Sequence, residues 1–132
     1  LAQLEKIDYM ISQKRKIFSW YDKYLRDVNE ITLNYEASEK GAKSIYWMSS
    51  ILLGENLNIS REYFMKRLSE DFNIDSRPVF PKLSRFPMFK EVDNPVADRV
   101  SKRGINLPSG VCLTEPEVKR VCKAIKSILG DI

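Results

Sequence analysis

Arg77 is the charged residue of this chain with the most to offer chemically. It stands in Ser76-Arg77-Pro78, inside a stretch that otherwise reads as strand, and its guanidinium is a rigid fork of donors suited to a phosphate or a carboxylate. The plainer reading is an edge arginine paired with a surface acid, an arrangement that is common and weak. Phe80 opens the loop that follows, Phe80-Pro81-Lys82-Leu83-Ser84, with Arg85 just beyond. The Ser84 hydroxyl can hydrogen-bond a ligand but cannot carry a proton near neutral pH. Tyr46, Trp47, Phe80, Phe86 and Phe89 supply aromatic surface. None sits in the glycine-bearing, alternating pattern by which single-stranded RNA readers stack bases. Tyr46 and Trp47 are therefore expected in the core, with Phe86 and Phe89 unassigned. Asn106 and Ser109 are expected to serve turn geometry.

The absences are equally informative. There is no histidine among the 132 residues, which removes the commonest general base and metal ligand. Cys112 and Cys122 lie ten apart without a CxxC, so no zinc spacing is present and no metal is expected. Cys122 falls on an apolar stripe and is expected to be a buried, reduced thiol. No glycine-rich phosphate loop, nucleophile elbow or carboxylate pair occurs. The net charge is +4, from 22 basic and 18 acidic residues. Apart from Lys14-Arg15-Lys16 the cations are scattered among acids, which argues for a solvated mixed surface rather than a nucleic-acid footprint. No apolar run approaches about 18 residues, so no membrane span is expected, and no signal-peptide pattern opens the chain.

These residues must be positioned by elements that the periodicity outlines. Leu4, Ile7, Ile11, Phe18, Tyr21, Leu25 and Val28 recur at helical steps without Gly or Pro, predicting one helix over 1–28, interrupted on its apolar face by Lys14 and Arg15. Such a helix is about 40 Å long, more than a small domain requires. Strands are expected at 31–33, at 45–53 with apolar residues on both faces, and at 74–80 with Pro78 at an edge. Ser60 should cap a helix over 61–72. Asn94-Pro95 should open a helix to Lys102 that closes at Gly104. A short extended run through Leu107 then leads to a turn at 108–110. Thr114-Glu115-Pro116-Glu117 has the form of a capping box for the last helix. The order is helix, strand, strand, helix, strand, helix, short strand, helix: an α+β domain with helices packed on a small, largely antiparallel sheet.

The stretch Arg103–Val118, read with Ser76–Phe80, resembles the closing section of the DegT/StrS-type aminotransferases, which use pyridoxal phosphate (PLP) and act on nucleotide-linked sugars. Ala2–Asp8, Tyr46-Trp47-Met48, Asn58–Arg61, Ser76-Arg77-Pro78 and Pro87-Met88-Phe89 match in the same order. The resemblance implies that residues 1–132 form the small C-terminal domain of a fold-type I enzyme, with 1–28 bridging to a larger N-terminal domain. That domain would hold the PLP and the Schiff-base lysine, so this chain alone is expected to be inactive and to bind no cofactor. Arg77, Phe80 and Ser84 are implied as substrate-binding residues, Ser84 standing where family members often place a histidine. Lys82 and Arg85 are either solvated or attract a nucleoside diphosphate. The resemblance further implies glutamate as amino donor, a homodimer, and a cytoplasmic enzyme with neither membrane nor nucleic acid as partner. The alternative is a non-catalytic α+β binding or regulatory module, for which nucleic acid is the candidate ligand.

Overall fold

The computed structural model describes residues 3–131; residues 1 and 2, where the expected first helix begins, lie outside the described residues. A 3-10 turn, Leu4–Lys6, leads into helix α1, Ile7–Leu25. Strand β1 is Ile31–Leu33, β2 is Ser50–Leu53, β3 is Arg77–Pro78 and β4 is Gly104–Asn106. Helices α2, Arg61–Phe72, α3, Pro95–Arg103, and α4, Glu115–Gly130, complete the element order anticipated from the sequence. The sheet runs β1-β2-β4-β3 with every pairing antiparallel.

Register decides which residues meet the core. Ile31 pairs with Leu53, Leu33 with Ile51, and Ile51 with Ile105, placing all five on one face. There they pack with Ile17, Tyr21 and Leu25 of α1, Phe64 and Leu68 of α2, and Val118, Cys122 and Ile125 of α4. The other face, carrying Thr32, Leu52 and Gly104, is partly roofed by Val100 of α3 and by Val79. Gly104 is required there, because a Cβ would stand 2.6 Å from the Val100 carbonyl oxygen and 2.6 Å from a Val79 methyl.

The caps are local chemistry. Ser60 accepts from the Tyr63 N–H at 3.1 Å, and Asn73 ends α2 in the left-handed region at φ 51°. The Glu117 carboxylate accepts from both the N–H and the hydroxyl of Thr114, at 2.8 and 2.7 Å.

Three expectations need correction. The helix expected over 1–28 ends at Leu25 and begins with a 3-10 turn. The strand expected over 45–53 starts only at Ser50, because Tyr46 takes φ 49° and the Asn34 side chain bonds the Ser50 N–H and the Met48 carbonyl across the strand's beginning. The strand expected over 74–80 shrinks to Arg77–Pro78, at the sheet edge where Pro78 needs no N–H. Gly104 does close α3 as its C-cap, in an extended conformation at φ −82°, ψ 136°, and begins β4.

Candidate functional site

Arg77 and Phe80, two of the residues expected to act, border a wall built where three segments are sewn together. Lys14 Nζ on α1 donates to the carbonyls of Trp47, at 2.8 Å, and Ser109. The Tyr21 hydroxyl donates to the Pro108 carbonyl at 2.8 Å. Ser109 Oγ accepts from the Ser49 N–H at 2.9 Å and donates to the Leu107 carbonyl at 2.8 Å. Segment 47–49 and turn 107–110 are thus fixed side by side onto α1. The adjoining loop is tied to the same helix: Arg15 spans both Glu36 carboxylate oxygens at 3.1 and 3.2 Å and reaches the Ser44 carbonyl. That contact holds the Glu36 carboxyl below the usual carboxylate range. Lys14 and Arg15, which merely interrupt the stripe in the sequence, are the fasteners of this wall.

Left-handed Tyr46 turns its own ring into the core, stacked on Phe18 at 3.7 Å and 10°. Trp47 then points outward and remains 59% exposed, which corrects the expectation that it packs inside. Phe80, 62% exposed, stacks on it at 6.1 Å and 12°. Trp47 lines a depression of about 280 Å³ together with Lys14, Asp75, Ser76, Arg77, Asn106 and the 107–110 turn. Arg77 faces Asn106 across the β3–β4 pair. Its guanidinium lies 3.1 Å from Asp75, with both side chains more than three-quarters exposed; such a pair is held by well under about 1 kcal/mol and exchanges readily for a ligand. Asn106 is not a turn residue. Buried in β4, it accepts from the Ser50 hydroxyl at 2.7 Å and donates to the Pro78 carbonyl at 3.3 Å, clamping three strands.

Arg77 and Phe80 therefore gather around Trp47, whereas Ser84 lies apart. It lines a separate groove with Lys82, Phe89, Val92 and Asn94, its hydroxyl meeting only the Val92 carbonyl at 3.5 Å. Lys82 is not a solvated cation. Its side chain is 10% exposed and pairs with Asp98 at 2.9 Å, binding the loop to α3 and holding the Asp98 carboxyl below its usual range. Phe86 and Phe89 are exposed. Cys122 is buried, which pushes its thiol up to about 12, while Cys112 is exposed. Missed from the sequence as site residues were Lys14, Trp47 and Ser76.

Lys14 and Lys82, the lysines lining these two hollows from partly buried positions, are engaged by carbonyls and by Asp98 respectively. Among the described residues no group of three or more His, Cys, Asp or Glu could hold a metal ion, and no helix is long and apolar enough to cross a membrane. Many of the scattered cations are neutralised locally, as Arg26 is by Asp22 and Arg67 by Asp71 and Asp131.

Comparison with known proteins fits this architecture. GDP-perosamine synthase of Caulobacter vibrioides is 31% identical over 133 residues, covering 98% of this chain and 35% of that protein. The enzyme of the same name from Escherichia coli O157:H7 is 35% identical over 133 residues, covering 99% of the chain and 35% of its own length. The chain thus spans about a third of the length of the curated relatives it matches. Among solved structures, the sugar aminotransferase CalS13 of Micromonospora echinospora superposes with a TM-score of 0.79 at 26% identity, over 96% of this chain and 33% of its own. Helicobacter pylori PseC shares the fold with a TM-score of 0.83 at 15% identity, over 100% of this chain and 36% of its own. The family model for DegT/DnrJ/EryC1/StrS aminotransferases matches residues 1–126, and the chain belongs to that family.

Proposed function

We propose that this chain is the small C-terminal domain of a cytoplasmic, homodimeric aminotransferase that passes an amino group from glutamate to a nucleotide-linked keto sugar. The observation that carries the reading is the match, along essentially the whole chain, to proteins named GDP-perosamine synthase. Residues 1–28 would bridge to the large domain, and a GDP-linked keto sugar is the substrate proposed on that basis. The electron-sink chemistry would come from PLP held by the rest of the parent enzyme. This chain's part is to bind and orient. Arg77 and Phe80 would contact the sugar nucleotide, and Lys14, Tyr21 and Ser109 would keep that wall rigid, since positioning is worth several orders of magnitude in rate. Ser84 would offer at most a polar contact.

The test uses the full-length parent with nitrogen-15 glutamate and a GDP-linked keto sugar. Mass spectrometry should find the label in an amino sugar nucleotide; label staying wholly in glutamate, with PLP loaded, would refute the reading. The 132-residue chain alone should show no PLP absorbance band that survives dialysis. A stoichiometric band mapped to one of its lysines would overturn the division of labour.

A further inference from the structure

The depression beside β3 holds features that structural needs alone leave unexplained. Lys14 has three N–H donors, and its two hydrogen bonds go to the carbonyls of Trp47 and Ser109. One donor remains, on an ammonium that burial has partly stripped of water. Ser76 is 9% exposed, and its buried hydroxyl finds no partner, although buried polar groups are nearly always satisfied. Arg77 is held only by the solvent-exposed Asp75 pair. Beside these donors stand Trp47 and Phe80, two nearly parallel rings left mostly in water. Flat exposed aromatic surface next to two cations is the arrangement that takes a planar base and its phosphates together. At about 280 Å³, the hollow is smaller than the roughly 300–1,000 Å³ that encloses a whole ligand. It suits one end of a longer molecule whose other end is held elsewhere.

We infer that this depression receives the nucleotide end of the substrate, with Lys14 and Arg77 on the diphosphate and the Trp47–Phe80 pair stacked against the base. The inference rests on the reading of the parent as a sugar-nucleotide aminotransferase for the identity of the ligand, but not for the site's chemistry. The keto sugar then projects away from this chain, toward the part of the enzyme that holds the cofactor.

Calorimetry on the full-length protein, with GDP, dTDP and inorganic pyrophosphate as probes, separates the parts. A nucleoside diphosphate should bind without any sugar attached. Trp47→Ala should weaken it about tenfold, the scale of one lost base–aromatic stack, and leave pyrophosphate affinity unchanged; Trp47→Phe should restore most of the loss. Arg77→Ala should weaken nucleotide and pyrophosphate alike. If Trp47→Ala leaves nucleotide affinity intact, or lowers both probes equally, the stacking assignment is wrong. If neither nucleotide binds at millimolar concentration, the inference falls altogether. A protein that binds nucleotide through Trp47 yet transfers no amino group to a nucleotide-linked sugar would sink the proposed function while leaving this site standing.

Discussion

Arg77 holds only a weak, exposed partner, and that gives its substitution a definite sign. Under the proposed function, Arg77→Ala in the parent enzyme should lower kcat/KM for the sugar nucleotide by roughly ten- to a hundredfold, the equivalent of about 1.5–3 kcal/mol for a lost charge-assisted hydrogen bond. On the same reading, the half-reaction with glutamate would not meet that substrate and should keep its rate. Asp75→Asn should act the other way, since it frees the guanidinium from its 3.1 Å partner and removes a negative charge from the hollow that Arg77 lines. Ser84→Ala should change little, because the hydroxyl sits in a different groove with one long contact. Single-turnover measurements of each half-reaction distinguish these outcomes. Equal losses in both halves for Arg77→Ala would mean that the residue supports the fold or the cofactor, and its assignment to the substrate would be wrong.

At the scale of elements, α3 packs tightly against the sheet at Gly104. Gly104→Ala drives a methyl into the Val100 carbonyl and a Val79 side chain, both 2.6 Å from the added carbon. Overpacking of this kind costs about 1–3 kcal/mol, to be read as a lowered urea midpoint with an unchanged slope. Acid should loosen the joints between elements. Hydrogen bonds from Arg15 to Glu36, from Lys82 to Asp98, and from Lys23 and Tyr24 to Glu115 hold these carboxyls below their ordinary values. A carboxyl depressed in the folded state stabilises it above its unfolded pKa, about 4, and ceases to do so as pH falls through the lower folded value. Urea midpoints should therefore be flat from pH 7 to 5 and fall below about pH 4; in Glu36→Gln that fall should be shallower, and an identical acid profile would show that the Arg15 contact contributes nothing. These joints mark the limit of what the sequence discloses. Helices α2 and α4 were legible because Ser60 and Thr114 cap them through residues only three positions away. Residues 45–49 were not, since their apolar run is that of a strand covered on both faces while their conformation is set by Asn34, Lys14 and Ser109, up to 60 residues distant. Trp47 was misplaced for the same reason. Periodicity assigns it a sheet face, but the left-handed Tyr46 before it turns it out. Arg77 and Phe80 could be singled out beforehand, yet the depression beside them depends on which backbone carbonyls Lys14 reaches, and no local pattern encodes that.

Viewed whole, the molecule divides its apolar side chains unevenly. Residues 17–25 of α1 are anchored in the core, while Leu4, Ile7 and Tyr9 at its other end are exposed. The stretch 80–96 exposes Phe80, Leu83, Phe86, Met88, Phe89, Val92 and Val96, half of the 14 large apolar residues left exposed among the described residues. Scattered singly, such residues need no explanation, but seven within one loop and helix start are more than solubility favours. Under the proposed function this surface meets the remainder of the parent enzyme, and Met88, 73% exposed, is the natural reporter. Hydrogen peroxide should oxidise Met88 quickly in the isolated chain and several-fold more slowly in the parent. Met65, packed against the core from α2, should react at the same slow rate in both and so control for differences in global stability. Peptide mass mapping reads each methionine separately. The isolated chain should also self-associate as its concentration rises, because a second copy is the only available cover for these side chains; Phe86→Ser and Met88→Ser together should shift sedimentation toward monomer without moving the urea midpoint, since neither side chain lies in the core. Equal Met88 oxidation in chain and parent would mean that the loop faces water in the whole enzyme, and the larger domain would then have to dock through the first turns of α1 alone.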